Sequence, residues 1–451
     1  MRPSTSTSEA GAPLLSGLTA GPDVDALVDD RALLRAMLDV EAALTGAVAD
    51  CGLAPTSAAA AVAAACADPS RLDLGDLAAG TLRAGNPVVP LMRALEAAVE
   101  PAARAWVHPG ATSQDVLDTA LVLLVARASR PLVGAARAAG VATARLADAH
   151  RDTVCVGRTL GQQASPTVFG LTAAGWLGQL DTALARWLLV ADRLPAQLGG
   201  AVGTRAFYGT DGEAVAARFA QRLGLSAGPP WHTDRQPVLD IAAGLGALVA
   251  ACGKVATDVL LLAQTEVGEV AEASGGGSSA MPHKQNPVAS VLVVAAARRS
   301  PALVGSLFGS AVHEQQRATG AWHAEWEPLL DLVRLAVGTC RRTADLLEGL
   351  EVFGDRMAAH LDDGGGVLMA EAVAARLTPA LGRGDAHAKV AQLVADIGAG
   401  DFAAALRKDQ TVLDALGENG IEAALDPRGW LGSAPALIDA ALARHDELAA
   451  R

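Results

Sequence analysis

LGALVAACGKVATDVLLL, residues Leu245 to Leu262, decides the fold. Leu245, Leu248, Cys252, Val255, Val259 and Leu262 recur every three or four residues, so they share one face of an α-helix about five turns long. A strand would instead put alternate residues on one face. Cys252 sits inside this stripe, where a thiol acts as a small core hydrophobe. Leu177, Leu180, Leu184 and Leu188 form a second stripe, and Leu34, Met37, Leu38 and Leu44 a third. Patterns this long with few breaks predict an all-α protein built on a bundle of long helices. Composition agrees. Of 451 residues, 51% are hydrophobic, enough for a substantial core, while aromatics are only 3%. Ala and Leu, strong helix formers, dominate; Tyr, Phe and Ile are scarce.

Working outward, the stripe ends before Ser274-Gly275-Gly276-Gly277-Ser278-Ser279, and the chain continues as Ala280-Met281-Pro282-His283-Lys284-Gln285-Asn286-Pro287. Successive glycines cost ordering entropy and mark a loop, a common carrier of function. They let backbone N–H donors approach a ligand. Ser278 offers a hydroxyl that gives or takes a proton. Lys284 offers a positive charge for a carboxylate or a carbanion-like intermediate, and it favours Ser278 as an alkoxide. Asn286 orients a carboxylate, and two prolines stiffen the exit. The set suits proton transfer next to a carboxylate, where negative charge builds up in the transition state. A plain Gly/Ser linker does not require Met-Pro-x-Lys-x-Asn-Pro.

Two other strings carry less. Gly224-Leu225-Ser226-Ala227-Gly228 fits a nucleophile elbow by letters, but a helical run precedes it and Pro229-Pro230 follows; an elbow needs a strand before it. A loop is expected there. His313-Glu314 lacks the second histidine of a zincin, because Arg317 occupies that position. No spacing points to a metal, and no cofactor is expected.

The net charge is −13 without a Lys/Arg run, which disfavours nucleic acid and anionic membranes as partners. No apolar run reaches the roughly 18 uninterrupted residues of a membrane span. The five cysteines, Cys51, Cys66, Cys155, Cys252 and Cys340, are odd in number and widely spaced, with no Cys-x-x-Cys. This argues against a disulfide framework and fits a reducing cytoplasm. Residues 1–15 are polar and Ser/Thr-rich, lack the apolar stretch of a signal peptide, and read as a disordered tail. Breaks at Gly85-Asn86-Pro87, at Val107-His108-Pro109-Gly110 and near Gly354 divide the rest. Residues 16–110 form an N-terminal helical domain, 111–354 a central bundle carrying the loop, and 355–451 a smaller helical domain. Thr112 or Ser113 is the natural N-cap of the helix that follows.

Gly277 to Pro287 matches, over eleven residues, the Gly-Ser-Ser-x-Met-Pro-x-Lys-x-Asn-Pro signature of a superfamily. The chain thus resembles the fumarase/aspartase superfamily, which includes argininosuccinate lyase, adenylosuccinate lyase and 3-carboxy-cis,cis-muconate cycloisomerase. His108-Pro109-Gly110-Ala111-Thr112-Ser113-Gln114-Asp115 resembles its first conserved region, and Gly157-Arg158-Thr159-Leu160-Gly161-Gln162-Gln163 its second. The resemblance implies a helical three-domain subunit, a homotetramer with active sites shared among subunits, and a small polycarboxylate substrate. By position, Ser278 and Lys284 are the catalytic candidates. Thr112, Ser113, Ser279, Asn286, Arg317, Trp322 and His323 are the substrate-binding candidates. Arg317 suits a carboxylate because its guanidinium fork matches that geometry.

The departures narrow the reading. In fumarase, argininosuccinate lyase and adenylosuccinate lyase the second region carries a histidine after Arg-Thr, where this chain has Leu160. Adenylosuccinate lyases carry His-Asp-Val where this chain has Asn86-Pro87-Val88. Two acid/base histidines are thus missing, which argues against protonating an amine leaving group. The phosphate-holding positions of adenylosuccinate lyases fall on Trp322 and Trp326, which carry no charge. Trp322-His323-Ala324-Glu325-Trp326 and the stretch from Leu425-Asp426-Pro427 to Trp430-Leu431-Gly432 instead resemble bacterial 3-carboxy-cis,cis-muconate cycloisomerases. The implied reaction is closure of 3-carboxy-cis,cis-muconate to 4-carboxymuconolactone, a step of aromatic-acid breakdown. There the nucleophile is the substrate's own ionised carboxylate, and one proton suffices. The alternatives are a C–N or C–O lyase on a succinyl-type substrate, and a non-catalytic helical scaffold. One departure cuts the other way: Arg235-Gln236-Pro237 stands where Arg-Asp-Arg is expected, so specificity would have drifted if those charges read the substrate.

Overall fold

The computed structural model describes residues 15, 17–273, 276–277, 281, 284–398 and 400–450. The expected tail, apart from Leu15, and the motif residues Ser278, Ser279 and His283 lie outside the described residues. The fold is all-α in character, with strands confined to short antiparallel pairs. Five helices run 23 to 37 residues: Ser113–Ala149, Phe169–Ala191, Gln236–Leu262, Val288–Ser310 and Ala321–Glu348.

The chain packs as two compact units, each drawn from separated stretches. The first comprises Met1–Ala136, Ala183–Gly253 and Leu292–Arg342; the second comprises Arg137–Thr182, Lys254–Val291 and Thr343–Arg451. Each of the five long helices gives residues to both units.

In the first unit, helix Asp30–Asp50 starts where the Asp29 carboxylate accepts from the Ala32 N–H at 2.7 Å, a side-chain N-cap. Its expected stripe is inside: Leu34, Met37, Leu38 and Leu44 are at most 3% exposed. Burial of each such side chain is worth about 1.5–3 kcal/mol. Leu245, Leu248 and Cys252 are buried in the same unit. Two helix-interior glycines are explained by close approach rather than by φ. A Cβ on Gly246 would lie 2.9 Å from Val304, and one on Gly253 2.5 Å from Ala297. Helices Gln236–Leu262 and Val288–Ser310 meet there at a distance only glycine permits, offsetting the roughly 1 kcal/mol helix penalty of that residue.

In the second unit, Val154–Thr159 pairs with Gln162–Val168 as an antiparallel hairpin. The helical reading of the sequence passed over it, although Val154, Val156, Thr159, Thr167 and Val168 are β-branched. Val270–Glu272 pairs with Leu350–Val352, and Gly276–Gly277 with Gln285–Asn286. The C-terminal helices close around Val373, Leu377, Phe402, Leu406, Val412 and Ile421, all fully buried.

By length and composition alone, Gln236–Leu262 and Val288–Ser310 are apolar enough to cross a membrane. Neither is an uninterrupted apolar run: Asp240, Lys254 and Asp258 break the first, and Arg298 and Arg299 the second. Half of the apolar window of the first helix is buried in the protein, as in a core helix, against 22% of the second.

Candidate functional site

Helix Ser113–Ala149 begins one residue after Thr112. Asp115, in its first turn, reaches back to accept from the Thr112 N–H at 3.0 Å, half of a capping box. The same carboxylate accepts from the Gly199 and Gly200 N–H groups at 2.9 Å each, and meets His232 Nε2 at 2.6 Å. Asp115 is 1% exposed and His232 5%. A Cβ on Gly199 would lie 2.5 Å from His232 Cε1, and Gly200 has φ +71°, so both glycines are required.

Arg317 joins this corner. Its guanidinium donates to Gln114 Oε1 at 3.0 Å, to the Gly200 carbonyl at 2.6 Å and to the Ala201 carbonyl at 3.2 Å. All three partners are neutral, and no carboxylate pairs with Arg317 among the described residues. Burial lowers its pKa from the usual arginine value, only partly opposed by Asp115 and Asp118. The Thr112 and Ser113 side chains are half-buried beside the start of the long helix. A helix N-terminus, two hydroxyls and an unpaired guanidinium together favour an anion.

Behind this corner lies a buried charge network. Arg235 bridges Asp118, at 2.8 and 3.1 Å, and Glu325, at 2.6 to 3.2 Å, and its side chain is 2% exposed. Burial alone would lower the arginine's pKa, but Asp118 and Glu325 outweigh it and raise the value. Arg235 is therefore committed to two buried acids of the fold. Trp322, 8% exposed, donates its indole N–H to Asp118 at 2.8 Å. His323 is exposed, with Nε2 3.0 Å from the Gly85 carbonyl and its ring 4.6 Å from that of Trp326. Asn86 accepts from the Val88 and Val89 N–H groups at 3.1 and 3.4 Å, so it caps helix Val88–Ala98. Nearby in sequence, His108 has φ +56° and places Nδ1 2.7 Å from Glu41 Oε1. Burial alone would lower the imidazole's pKa, but the Glu41 carboxylate prevails and raises it.

In the second unit, two short pairings close the neck of the Gly-rich loop. Gly276 pairs with Asn286 and Gly277 with Gln285. The Glu272 carboxylate accepts from the Ala289 and Ser290 N–H groups at 3.0 and 2.8 Å, capping helix Val288–Ser310 from across the loop. Lys284 is exposed, and its backbone N–H donates to the Met281 carbonyl at 3.0 Å. Asn286 is half-buried. Leu160 stands at the turn of the hairpin with φ +52°, its side chain fully exposed. Arg158, at the hairpin, makes two bonds of 2.8 and 2.7 Å to Glu269, which is also 2.6 Å from His360 Nδ1. Arg158 is thus held in an ion pair.

Within the first unit, the structure brings Thr112, Ser113 and Arg317 together and ties up the Trp322 N–H. Within the second, Lys284 and Asn286 share one anchored loop. Sequence reasoning gave no role to Asp115, Gln114 or Gly199-Gly200, and it left that of His232 open between a substrate contact and a structural hydrogen bond. A signal existed for two of these: Thr112-x-x-Asp115 has capping-box spacing, and a Gly-Gly pair marks a tight approach. His232 lies 117 residues from Asp115, and no local pattern announces such a contact. No three of His, Cys, Asp or Glu are grouped as metal ligands among the described residues.

Comparison with known proteins covers nearly the whole chain. A family model described as a lyase matches residues 22–300, and one described as adenylosuccinate lyase C-terminus matches 366–441. The chain is 45% identical over 451 residues to a nitrosuccinate lyase of Streptomyces davaonensis, covering 96% of this chain and 95% of that protein. It is 41% identical over 436 residues to a 3-carboxy-cis,cis-muconate cycloisomerase of Pseudomonas aeruginosa, covering 94% of each. Among solved structures, the 3-carboxy-cis,cis-muconate lactonizing enzyme from Pseudomonas putida superposes with a TM-score of 0.90 at 37% identity, covering 97% of this chain and 99% of that one.

Proposed function

Because the chain belongs to the fumarase/aspartase superfamily of lyases, we propose that it moves a proton beside a carboxylate of a small polycarboxylate, while an oxyanion-type group adds or leaves without needing a proton of its own. The observation that carries this reading is Leu160. Where fumarase, argininosuccinate lyase and adenylosuccinate lyase carry a histidine, the hairpin turn presents an aliphatic side chain that cannot transfer a proton. Chemistry needing only one protein acid/base then fits best.

The specific reaction we assign is closure of 3-carboxy-cis,cis-muconate to 4-carboxymuconolactone. A substrate carboxylate oxygen adds to the alkene within the same molecule, so proximity is built in. The displaced electron pair forms an enolate-like carboxylate. Lys284 and Asn286 hold that charge, and Ser278 delivers one proton to carbon, regaining it from water. Thr112, Ser113 and Arg317 bind another carboxylate. General acid catalysis of this kind is worth roughly 10²–10⁴ in rate.

A second reading is favoured by the 45% identity to a nitrosuccinate lyase. Here Ser278 removes the proton and the C–N bond breaks. Nitrite leaves with the electron pair as a stable anion, and fumarate remains. Leu160 suits this equally, because nitrite needs no proton on departure.

Proton counting in weakly buffered solution separates the two. Lactone closure turns one carboxylate into an ester and takes up about one proton per turnover near neutral pH, whereas nitrite elimination releases about one. Turnover of neither substrate, with adenylosuccinate or argininosuccinate cleaved instead, would overturn both readings. In either case the subunit works in the cytoplasm as a homotetramer with shared sites. Val291 and Phe308, 50% and 48% exposed on Val288–Ser310, would be covered by other copies.

A further inference from the structure

We propose that Asp115 is the positioning residue of the carboxylate-binding corner: one buried carboxylate sets the relative placement of Thr112 and Arg317. The inference rests on the reading that those two residues take a substrate carboxylate. Four N–H groups converge on Asp115, from Thr112, Gly199, Gly200 and His232, at 2.6 to 3.0 Å. A capping box needs only the first of them. The other three come from segments 84 to 117 residues away, so the side chain does more than start a helix.

The link to Arg317 runs through the same residues. Gly200 donates its N–H to Asp115 and accepts from Arg317 with its carbonyl at 2.6 Å. Gln114, next to Asp115 in the chain, accepts from the other guanidinium nitrogen at 3.0 Å. The guanidinium is thus held by neutral groups whose places Asp115 fixes, and its charge is not neutralised by them. An acid is required at 115 rather than an amide, because all four partners donate. In an asparagine the NH2 would face two N–H groups. His232 is the one partner able to turn acceptor, by moving its proton from Nε2 to Nδ1.

The test measures binding of tricarballylate, a small tricarboxylate, to the full-length protein by calorimetry, alongside kcat and KM on whichever substrate turns over. Wild type, D115N, R317K and D115N/R317K are compared, with urea unfolding of each. D115N should weaken binding about 30-fold, the scale of one lost charge-assisted hydrogen-bond set. It should raise KM more than it lowers kcat. In the R317K background the same change should cost under about fivefold, because contacting residues do not act additively. If D115N does not fold, His232→Leu, which removes the donor that shares Oδ1 of Asp115 with the Gly199 N–H, is read in the same cycle. Binding by D115N within threefold of wild type overturns the proposal, as does a full 30-fold loss persisting in the R317K background. Failure of the wild type to bind or turn over any polycarboxylate would instead sink the functional reading, and this inference with it.

Discussion

Arg317→Gln offers the sharpest test of the carboxylate-binding corner. In most proteins a half-buried arginine is held by an acid, and its removal strands that acid. Here the three partners are Gln114 and the carbonyls of Gly200 and Ala201. Glutamine retains one donor for them. Three hydrogen bonds to neutral groups, each worth about 0.5–1.5 kcal/mol net, are offset by relief of a partly buried charge that the fold holds at a cost. The stability change should therefore stay within about 1 kcal/mol. Substrate binding behaves differently. A guanidinium and a carboxylate ~4 Å apart attract by about 4 kcal/mol at an effective dielectric near 20, and a charge-assisted pair contributes about 1.5–3 kcal/mol by mutagenesis. We therefore expect kcat/KM to fall about 30- to 1000-fold. Steady-state kinetics on 3-carboxy-cis,cis-muconate and nitrosuccinate, with urea unfolding at matched protein concentration, reads both sides. A fall in kcat/KM under threefold would refute the assignment. A fall accompanied by more than about 2 kcal/mol of lost stability would assign Arg317 to the fold instead.

Further outcomes follow from single contacts. Arg235→Met takes the shared guanidinium from the buried Asp118 and Glu325, so it should destabilise by about 3–5 kcal/mol in chemical unfolding, far more than Arg317→Gln. A cost under about 1 kcal/mol would contradict the buried network. Leu160→Asn should raise stability by about 1 kcal/mol, because asparagine tolerates the positive φ that leucine strains against, while leaving turnover within a few-fold. The His108–Glu41 pair raises the histidine's pKa on folding, so its contribution is fully present below the unfolded value near 6.5 and is lost as pH rises through the folded value. The stability gap between wild type and His108→Gln should therefore be widest near pH 6 and narrow towards pH 9; a gap that widens with pH would reverse the assignment. Burial pushes the Cys66 and Cys155 thiols up to about 12, so a thiol-specific reagent at neutral pH should label half-buried Cys51 first in the folded protein.

The long helices were legible because their stripes repeat over many turns. Leu245, Leu248 and Cys252 are buried as their spacing requires. The Gly-rich loop was legible because three glycines and two prolines make no sense in a helix. The hairpin Val154–Val168 was not, since its strands are short and its turn residue, Leu160, is a poor choice for the conformation it adopts. Candidate site residues stood out in the sequence where chemistry is local, as in Thr112-Ser113 and Lys284-x-Asn286. The sequence was silent where one carboxylate gathers donors from two distant segments, Gly199-Gly200 and His232. Trp322, a substrate-binding candidate by its place in a family string, has its N–H committed to Asp118. Arg235 likewise serves two buried acids.

The clasp formed by Glu272 has a consequence for how such a protein changes over time. The strand before the loop and the helix after it are joined by a side chain outside the catalytic string, with two short pairings just inside it. The entropy of closing the loop is thus set at its base, and doubling the enclosed length would add only about 0.6 kcal/mol. Insertion between Gly277 and Gln285 should therefore cost the scaffold little stability.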